Sequence, residues 1–227
     1  MTRTSNLIFA GVGGQGVLLI AEITARAAVH AGYDVKQTEV HGVSQRGGSV
    51  ESHVRFGQMV YSPLVRAGEA DVVIGLEKLE GLRYANFLRP SPLTPVPNQG
   101  EGGTLLVNDH EIIPGSVANA AEKYPHHSID FLRDKGIRTI ALPASRMAQD
   151  LGDGRMANIV LLGALSALID LPEVAWQEIL RVKLPAKYRD ANLHAFELGK
   201  ESLIAYNVHM HRAADAVQVS PIATAER

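Results

Sequence analysis

The sequence has 227 residues, 46% of them hydrophobic and 20% charged, with a formal net charge of −2. That size and balance suit one large α/β domain, and the near-neutral charge gives no electrostatic basis for a nucleic-acid or membrane-surface partner. There is no cysteine, which excludes a disulfide framework and a catalytic thiol and leaves no thiolate to ligate an iron–sulfur cluster.

The first sixteen residues, MTRTSNLIFAGVGGQG, contain no long apolar stretch before their glycines. No apolar run in the chain reaches the ~18 residues of a membrane span, so the expected location is the cytoplasm. Asn6 to Ala10 (NLIFA) reads as a buried strand that feeds a tight turn. Val17 to His30 is Ala-rich and free of Gly and Pro, as a helix should be, and Gly32 ends it. Tyr33 to Val40 alternates like a second strand, completing one βαβ-sized unit. A polar segment, His41 to Ser49 (HGVSQRGGS), comes next. Val50 to Phe56 reads as a strand, with Gly57-Gln58 a candidate hairpin turn, and Asp71 to Leu76 as another strand. Leu79 to Leu88 reads as a helix ended by Pro90.

Pro90 to Gly103 holds four prolines and three glycines and is read as a surface loop rather than a domain linker. Thr104 to Asn108 and Ile137 to Leu142 are further strands, with a short helix expected at Ser116 to Tyr124. Met156 to Ile169 is apolar nearly all round, the pattern of a buried or interface helix. Pro172 marks the start of the next helix, and Asp190 to Asn207 is helical. The domain is expected to span 1–210, with 211–227 a mobile tail.

Gly11-Val12-Gly13-Gly14-Gln15-Gly16 fits G-x-G-x-x-G between a strand and a helix. Glycines let the backbone approach a phosphate, and a helix N-terminus offers unpaired N–H groups and a positive dipole end. No Gly-Lys-Ser/Thr follows, so this is not a P-loop. A dinucleotide reading needs an acid near the end of the second strand, ~20 residues on; Glu39 is the candidate. Tight packing of helix on strand explains the same glycines, and both readings stay open.

Three further segments carry a resemblance: Glu39 to Arg55 (EVHGVSQRGGSVESHVR), Asp71 to Arg83 (DVVIGLEKLEGLR) and Leu184 to Gly199 (LPAKYRDANLHAFELG). Together with GVGGQG, they resemble the gamma subunit or gamma domain of 2-oxoacid:ferredoxin oxidoreductases, the indolepyruvate branch in particular. The similarity runs from about Asn6 to Leu203. It implies a single Rossmann-like α/β domain with a mostly parallel sheet and helices on both faces. It also implies a division of labour. A large partner subunit carries thiamine diphosphate, magnesium and the 4Fe–4S clusters and decarboxylates the 2-oxoacid on the thiamine ylide. Electrons pass to ferredoxin, and coenzyme A takes the acyl group. This chain holds no cofactor by itself and shares coenzyme A as a ligand. The substrate of the complex is expected to be indolepyruvate or another aryl pyruvate.

Carried over residue by residue, Gly11, Gly13, Gly14, Gln15 and Gly16 form the family loop. Glu39, His41, Ser44, Gln45, Arg46, Gly47, Gly48 and Ser49 form the second motif. These are the candidate cofactor-binding residues. Arg46 suits a phosphate or carboxylate partner. An interface loop that merely fastens the large subunit is the competing reading, and no residue is assigned catalysis. Glu77 ends a strand, and Glu80 and Arg83, three apart, suit an ion pair on one helix face. A helix start with surface charge pairs is the expectation there. Asn192 and His194 to Phe196 read as packing and capping.

Gly152-Asp153-Gly154 matches the start of a thiamine-diphosphate motif, but no Asn-Asn pair exists to complete it, so it reads as a turn. The nine histidines have no Cys or carboxylate at zinc-site spacing, and no metal site is expected. Two alternatives remain: a stand-alone NAD-binding oxidoreductase, and a purely structural partner subunit.

Overall fold

The structure, a computed structural model, describes residues 3–41, 48–91, 102–114 and 123–218. Strand β1 (Ser5–Val12) leads into α1 (Val17–His30), β2 (Asp34–His41), β3 (Ser49–Gly57) and β4 (Val72–Gly75). Helix α2 (Lys78–Tyr84), β5 (Thr104–Asn108), α3 (Ser128–Asp134) and β6 (Arg138–Leu142) follow. The described chain ends with α4 (Ala144–Asp150), α5 (Ala157–Ser166), α6 (Glu173–Lys183) and α7 (Arg189–Gln218).

One six-stranded sheet has the order β2-β3-β1-β4-β5-β6. Strands β1, β4, β5 and β6 run parallel. Strand β3 is antiparallel to both β1 and β2. Leu7, Ile8, Phe9 and Ala10 of β1 are fully buried, which is why that strand reads as a continuous apolar run and not an alternating one. One face packs Leu7, Phe9, Ile74 and Ile140 under α1 and the C-terminal helices. The other packs Ile8, Val73, Leu105 and Val107 under α2, α3 and the chain around Val65. This is the α/β layering expected, with helices on both faces.

Three details differ from the sequence reading. The antiparallel partner of β3 is β2, which precedes it, so Gly57-Gln58 is no hairpin turn; β3 ends at Gly57. Helices α3 and α4 were not anticipated, because seven residues each are too few to set up a clear period. The last helix continues to Gln218, into the stretch expected as tail, while 219–227, the loop core 92–101 and most of the helix expected at 116–124 lie outside the described residues.

Helix α5 is buried from Asn158 to Leu165, as its all-round apolar sequence requires. It crosses α7 at glycines. A methyl at Gly163 would strike the Phe196 carbonyl, and one at Gly199 the Val160 carbonyl.

On β3, His53 is 3% exposed. Its Nδ1 accepts the Val65 N–H at 3.0 Å, and its ring meets Phe87 edge-on. Burial pushes its pKa below the ordinary imidazole value, partly offset by the Glu51 carboxylate. The folded ring stays neutral while the unfolded ring takes a proton below about pH 6.5. Stability is therefore lost as pH falls through that value. We expect His53→Asn to flatten this part of the pH–stability curve in urea titrations between pH 7.5 and 5. Parallel curves for the two proteins would refute the assignment.

Candidate functional site

The first five candidate residues form the turn at the carboxyl end of β1. At Gly11, next to last in β1, a Cβ would sit 2.7 Å from Gln15 Oε1 and 2.8 Å from Val17 Cγ2, so α1 can pack this close only over a hydrogen. Gly16 adopts φ 82 and ψ 29 at the N-terminus of α1, a left-handed conformation costly for other residues. Gln15 is a strut. Its Oε1 accepts the Val12 N–H at 2.7 Å, and its Nε2 donates to the Leu76 carbonyl at 3.3 Å.

The structure brings the three sequence motifs together here. The Gly13 N–H donates to the Gly48 carbonyl at 3.0 Å, joining the Gly turn to the root of the polar hairpin. The Ser49 hydroxyl donates to Glu80 Oε2 at 2.5 Å, joining that root to α2. Glu80 also accepts from Arg83 Nε at 3.2 Å, the pair expected from spacing. The expectation of a surface pair needs correction. Glu80 is 4% exposed, because the helix face that carries it turns toward β3. Glu77 caps α2, accepting from the N–H groups of Leu79 (3.0 Å) and Glu80 (2.5 Å). Burial raises its pKa against the pull of those backbone donors. Burial also raises the Tyr124 phenol, which donates to Glu77 at 3.4 Å, and pushes the Tyr84 phenol up to about 12.

Not every candidate is brought in. Glu39 is exposed on edge strand β2, and β3 lies between it and β1. At ~4.8 Å per strand it stands about 10 Å from the Gly turn's strand, without the adjacency a ribose-binding acid needs. His41 closes β2. Ser44, Gln45, Arg46 and Gly47 lie outside the described residues.

Beside the Gly turn opens a cleft of about 380 Å³. It sits over the carboxyl ends of β1, β4 and β5, where the sheet's connections diverge to either side, the usual ligand position in such folds. Gly14, Gln15 and Gly16 form one wall; Leu76, Asn108 and Asn158 belong to the rest. Sequence reasoning missed Asn108 and Asn158. The signals were a polar residue ending the apolar strand TLLVN and one interrupting the apolar run MANIVLL. Asn108 Nδ2 donates to the Leu76 carbonyl at 3.2 Å and to Ser145 Oγ at 2.8 Å, and its Oδ1 accepts the Ser145 N–H at 3.1 Å. Arg155 stands at the rim, bound to Asp153 at 2.6 Å. That arginine holds the Asp153 carboxyl down to about 2. The cleft offers amides, backbone groups, the Ser145 hydroxyl, the His110 ring and a guanidinium, a set rich in hydrogen-bonding groups.

These residues do not fit the prosthetic groups of the larger assembly. There is no cysteine for a cluster. Asp153 is spent capping the turn at 154–156 and pairing with Arg155. Among the described residues no group of three His, Asp or Glu could hold a metal, and no helix is long and apolar enough to cross a membrane.

A family model described as pyruvate ferredoxin/flavodoxin oxidoreductase matches residues 6–202. The chain belongs to that family. An indolepyruvate oxidoreductase subunit of Thermococcus kodakarensis is 39% identical over 201 residues, 86% of this chain and 93% of the relative. The crystal structure of a keto/oxoacid ferredoxin oxidoreductase gamma subunit from Geobacter sulfurreducens superposes with a TM-score of 0.63 at 25% identity, covering 88% of this chain and 99% of that one. A Magnetococcus marinus 2-oxoglutarate:ferredoxin oxidoreductase with 2-oxoglutarate, coenzyme A and succinyl-CoA bound shares the fold, with a TM-score of 0.68 and 21% identity; the match spans 90% of this chain and 32% of that longer one. This family member is a small subunit of a 2-oxoacid:ferredoxin oxidoreductase, as its motifs implied.

The strut role of Gln15 is testable. Gln15→Ala strips the acceptor from the Val12 N–H and a donor from Leu76. It should cost about 1–3 kcal/mol in denaturant unfolding. A loss within error of zero would mean the turn holds itself.

Proposed function

We propose that this chain is the small subunit of an indolepyruvate-type complex and that it completes a coenzyme A site shared with a large subunit. That partner carries thiamine diphosphate, magnesium and the iron–sulfur clusters, and ferredoxin accepts the electrons. The 2-oxoacid is an aryl pyruvate, and the complex works in the cytoplasm. Similarity to indolepyruvate subunits over most of the chain supports the substrate class.

One observation carries the reading. The Gly turn, the root of the polar hairpin and α2 are joined by Gly13–Gly48 and Ser49–Glu80 at the carboxyl ends of β1 and β4. A merely structural partner would not need so polar a segment rooted, through Gly48 and Ser49, beside a Gly-rich turn. A stand-alone NAD enzyme would need an acid beside β1, and Glu39 is a strand too far away. In the proposed role the chain supplies no bond-breaking group. It binds and orients the phosphate end of coenzyme A through backbone N–H groups and Arg46, leaving the thiol end to the partner.

The test is affinity purification followed by viologen reduction under anaerobic conditions. A large iron–sulfur subunit should co-purify, and reduction should require both indolepyruvate and coenzyme A. A chain that emerges alone overturns the subunit reading. In the active complex, Arg46→Ala should raise KM for coenzyme A about tenfold with little change in kcat, the signature of lost ground-state binding. An unchanged KM removes Arg46 from the site.

A further inference from the structure

We propose that the segment between β3 and β4 is a rigid anchor for the large subunit, presenting Met59, Tyr61 and Leu64 at the opposite end of the sheet from the Gly turn. Three large apolar side chains stand in water within six residues: Met59 is 61% exposed, Tyr61 88% and Leu64 54%. The backbone that carries them is held at four points. The Asp34 carboxylate accepts the Val60 N–H at 2.7 Å. Arg55 Nη1 donates to the carbonyls of Ser62 at 3.0 Å and Leu64 at 3.1 Å, while its Nε donates to Asn6 Oδ1 at 2.8 Å. His53 Nδ1 takes the Val65 N–H, and the Val60 and Val65 side chains are themselves buried. Pro63 fixes one further backbone angle. The Tyr61 hydroxyl donates to Met59 Sδ, which keeps these two side chains together. A loose loop can fold its apolar groups inward. This one is pinned with them outward, and apolar area left in water is unfavourable until a partner covers it.

The chemistry and the size of the patch select its occupant. Met and Tyr, with Arg66 exposed beside them, are residue types enriched where proteins meet. From Gly57 to Gly68 the one charged residue is Arg66, and Glu69 is the next acid along the chain. Arg55 lies beneath the segment, and Asp34 is already paired with Lys36 at 2.6 Å. A two-fold contact with a second copy would bring this cationic rim against itself. It would also rest on too little area. The three side chains offer on the order of 400 Å² together, about half of the ~800 Å² that each partner of a stable pair buries. The patch therefore adds to a contact made elsewhere, and its counterpart is an apolar pocket edged by carboxylates. The Gly48–Ser49 root lies at the other end of β3, roughly 27 Å away at ~3.4 Å per residue. A partner that touches both ends must exceed that span, as a large subunit can. The inference rests on the heteromeric reading above and names where on this chain the large subunit is anchored.

The test compares the full wild-type chain with a Met59→Ser, Tyr61→Ala double variant, each bound to the large subunit in surface plasmon resonance. Both side chains are exposed, so the isolated variant should melt with wild type. Its affinity for the large subunit should fall about tenfold or more, as expected when interface anchors are removed. KM for coenzyme A in the assembled complex should stay at the wild-type value. Hydroxyl-radical labelling gives a readout without substitution: Met59 and Tyr61 should be labelled in the isolated wild-type chain and protected in the complex. Wild-type affinity in the double variant, or full labelling of both residues within the wild-type complex, overturns the anchor and leaves the subunit reading standing. A wild-type chain that captures no large subunit overturns both. An isolated wild-type chain that sediments as a dimer, with a monomeric double variant, assigns the patch to a second copy and also overturns the anchor.

Discussion

The carbonyl of Leu76 is the point on which this end of the molecule depends. Leu76 directly follows β4, and its own N–H is already bound to Ala10 of β1 at 2.8 Å. Gln15 donates to it from the Gly turn and Asn108 from the end of β5. One oxygen therefore fixes three chain segments relative to one another, and through Ser145 a fourth, the start of α4. The bare Cα of Gly11 lets these pieces meet at this distance. A buried carbonyl with two donors is fully satisfied, and breaking either bond would leave an orphaned amide in the interior.

The insertion of β3 between β1 and β2 decides what the site is not. In an open dinucleotide-binding sheet the second strand lies directly beside the first, and its terminal acid reaches the ribose. Here the antiparallel β3 takes that place and pushes Glu39 to the edge. The same insertion carries the Gly48–Ser49 root of the polar hairpin to the Gly turn. A strand order thus exchanges one kind of recognition surface for another while leaving the glycine turn itself unchanged.

Buried polar groups in this chain sort by whether they are matched. Glu77 gives both oxygens to the start of α2, and Glu80 is divided between Ser49 and Arg83. These carboxylates hold elements in place. Asn158 is 7% exposed and borders the cleft beside Gly16. Among the described residues the polar atoms buried without a partner lie elsewhere, His53 Nε2 and Trp176 Nε1 among them.

The sequence by itself determined the α/β class, the strand–turn–helix start, the burial of α5 and the absence of thiolate chemistry. It also carried the family, in the joint presence of GVGGQG and EVHGVSQRGGSV. These are legible because hydrophobic period, glycine placement and composition are local properties of the chain. The short helices α3 and α4 escaped because one or two turns carry too little period to read. Only the tertiary structure decided that β3 separates β1 from β2, that Glu80 is buried, and that Asn158 faces Gly16. Each depends on which distant segments become neighbours. Strand pairing and polar satisfaction are settled by nonlocal contacts that no local pattern encodes.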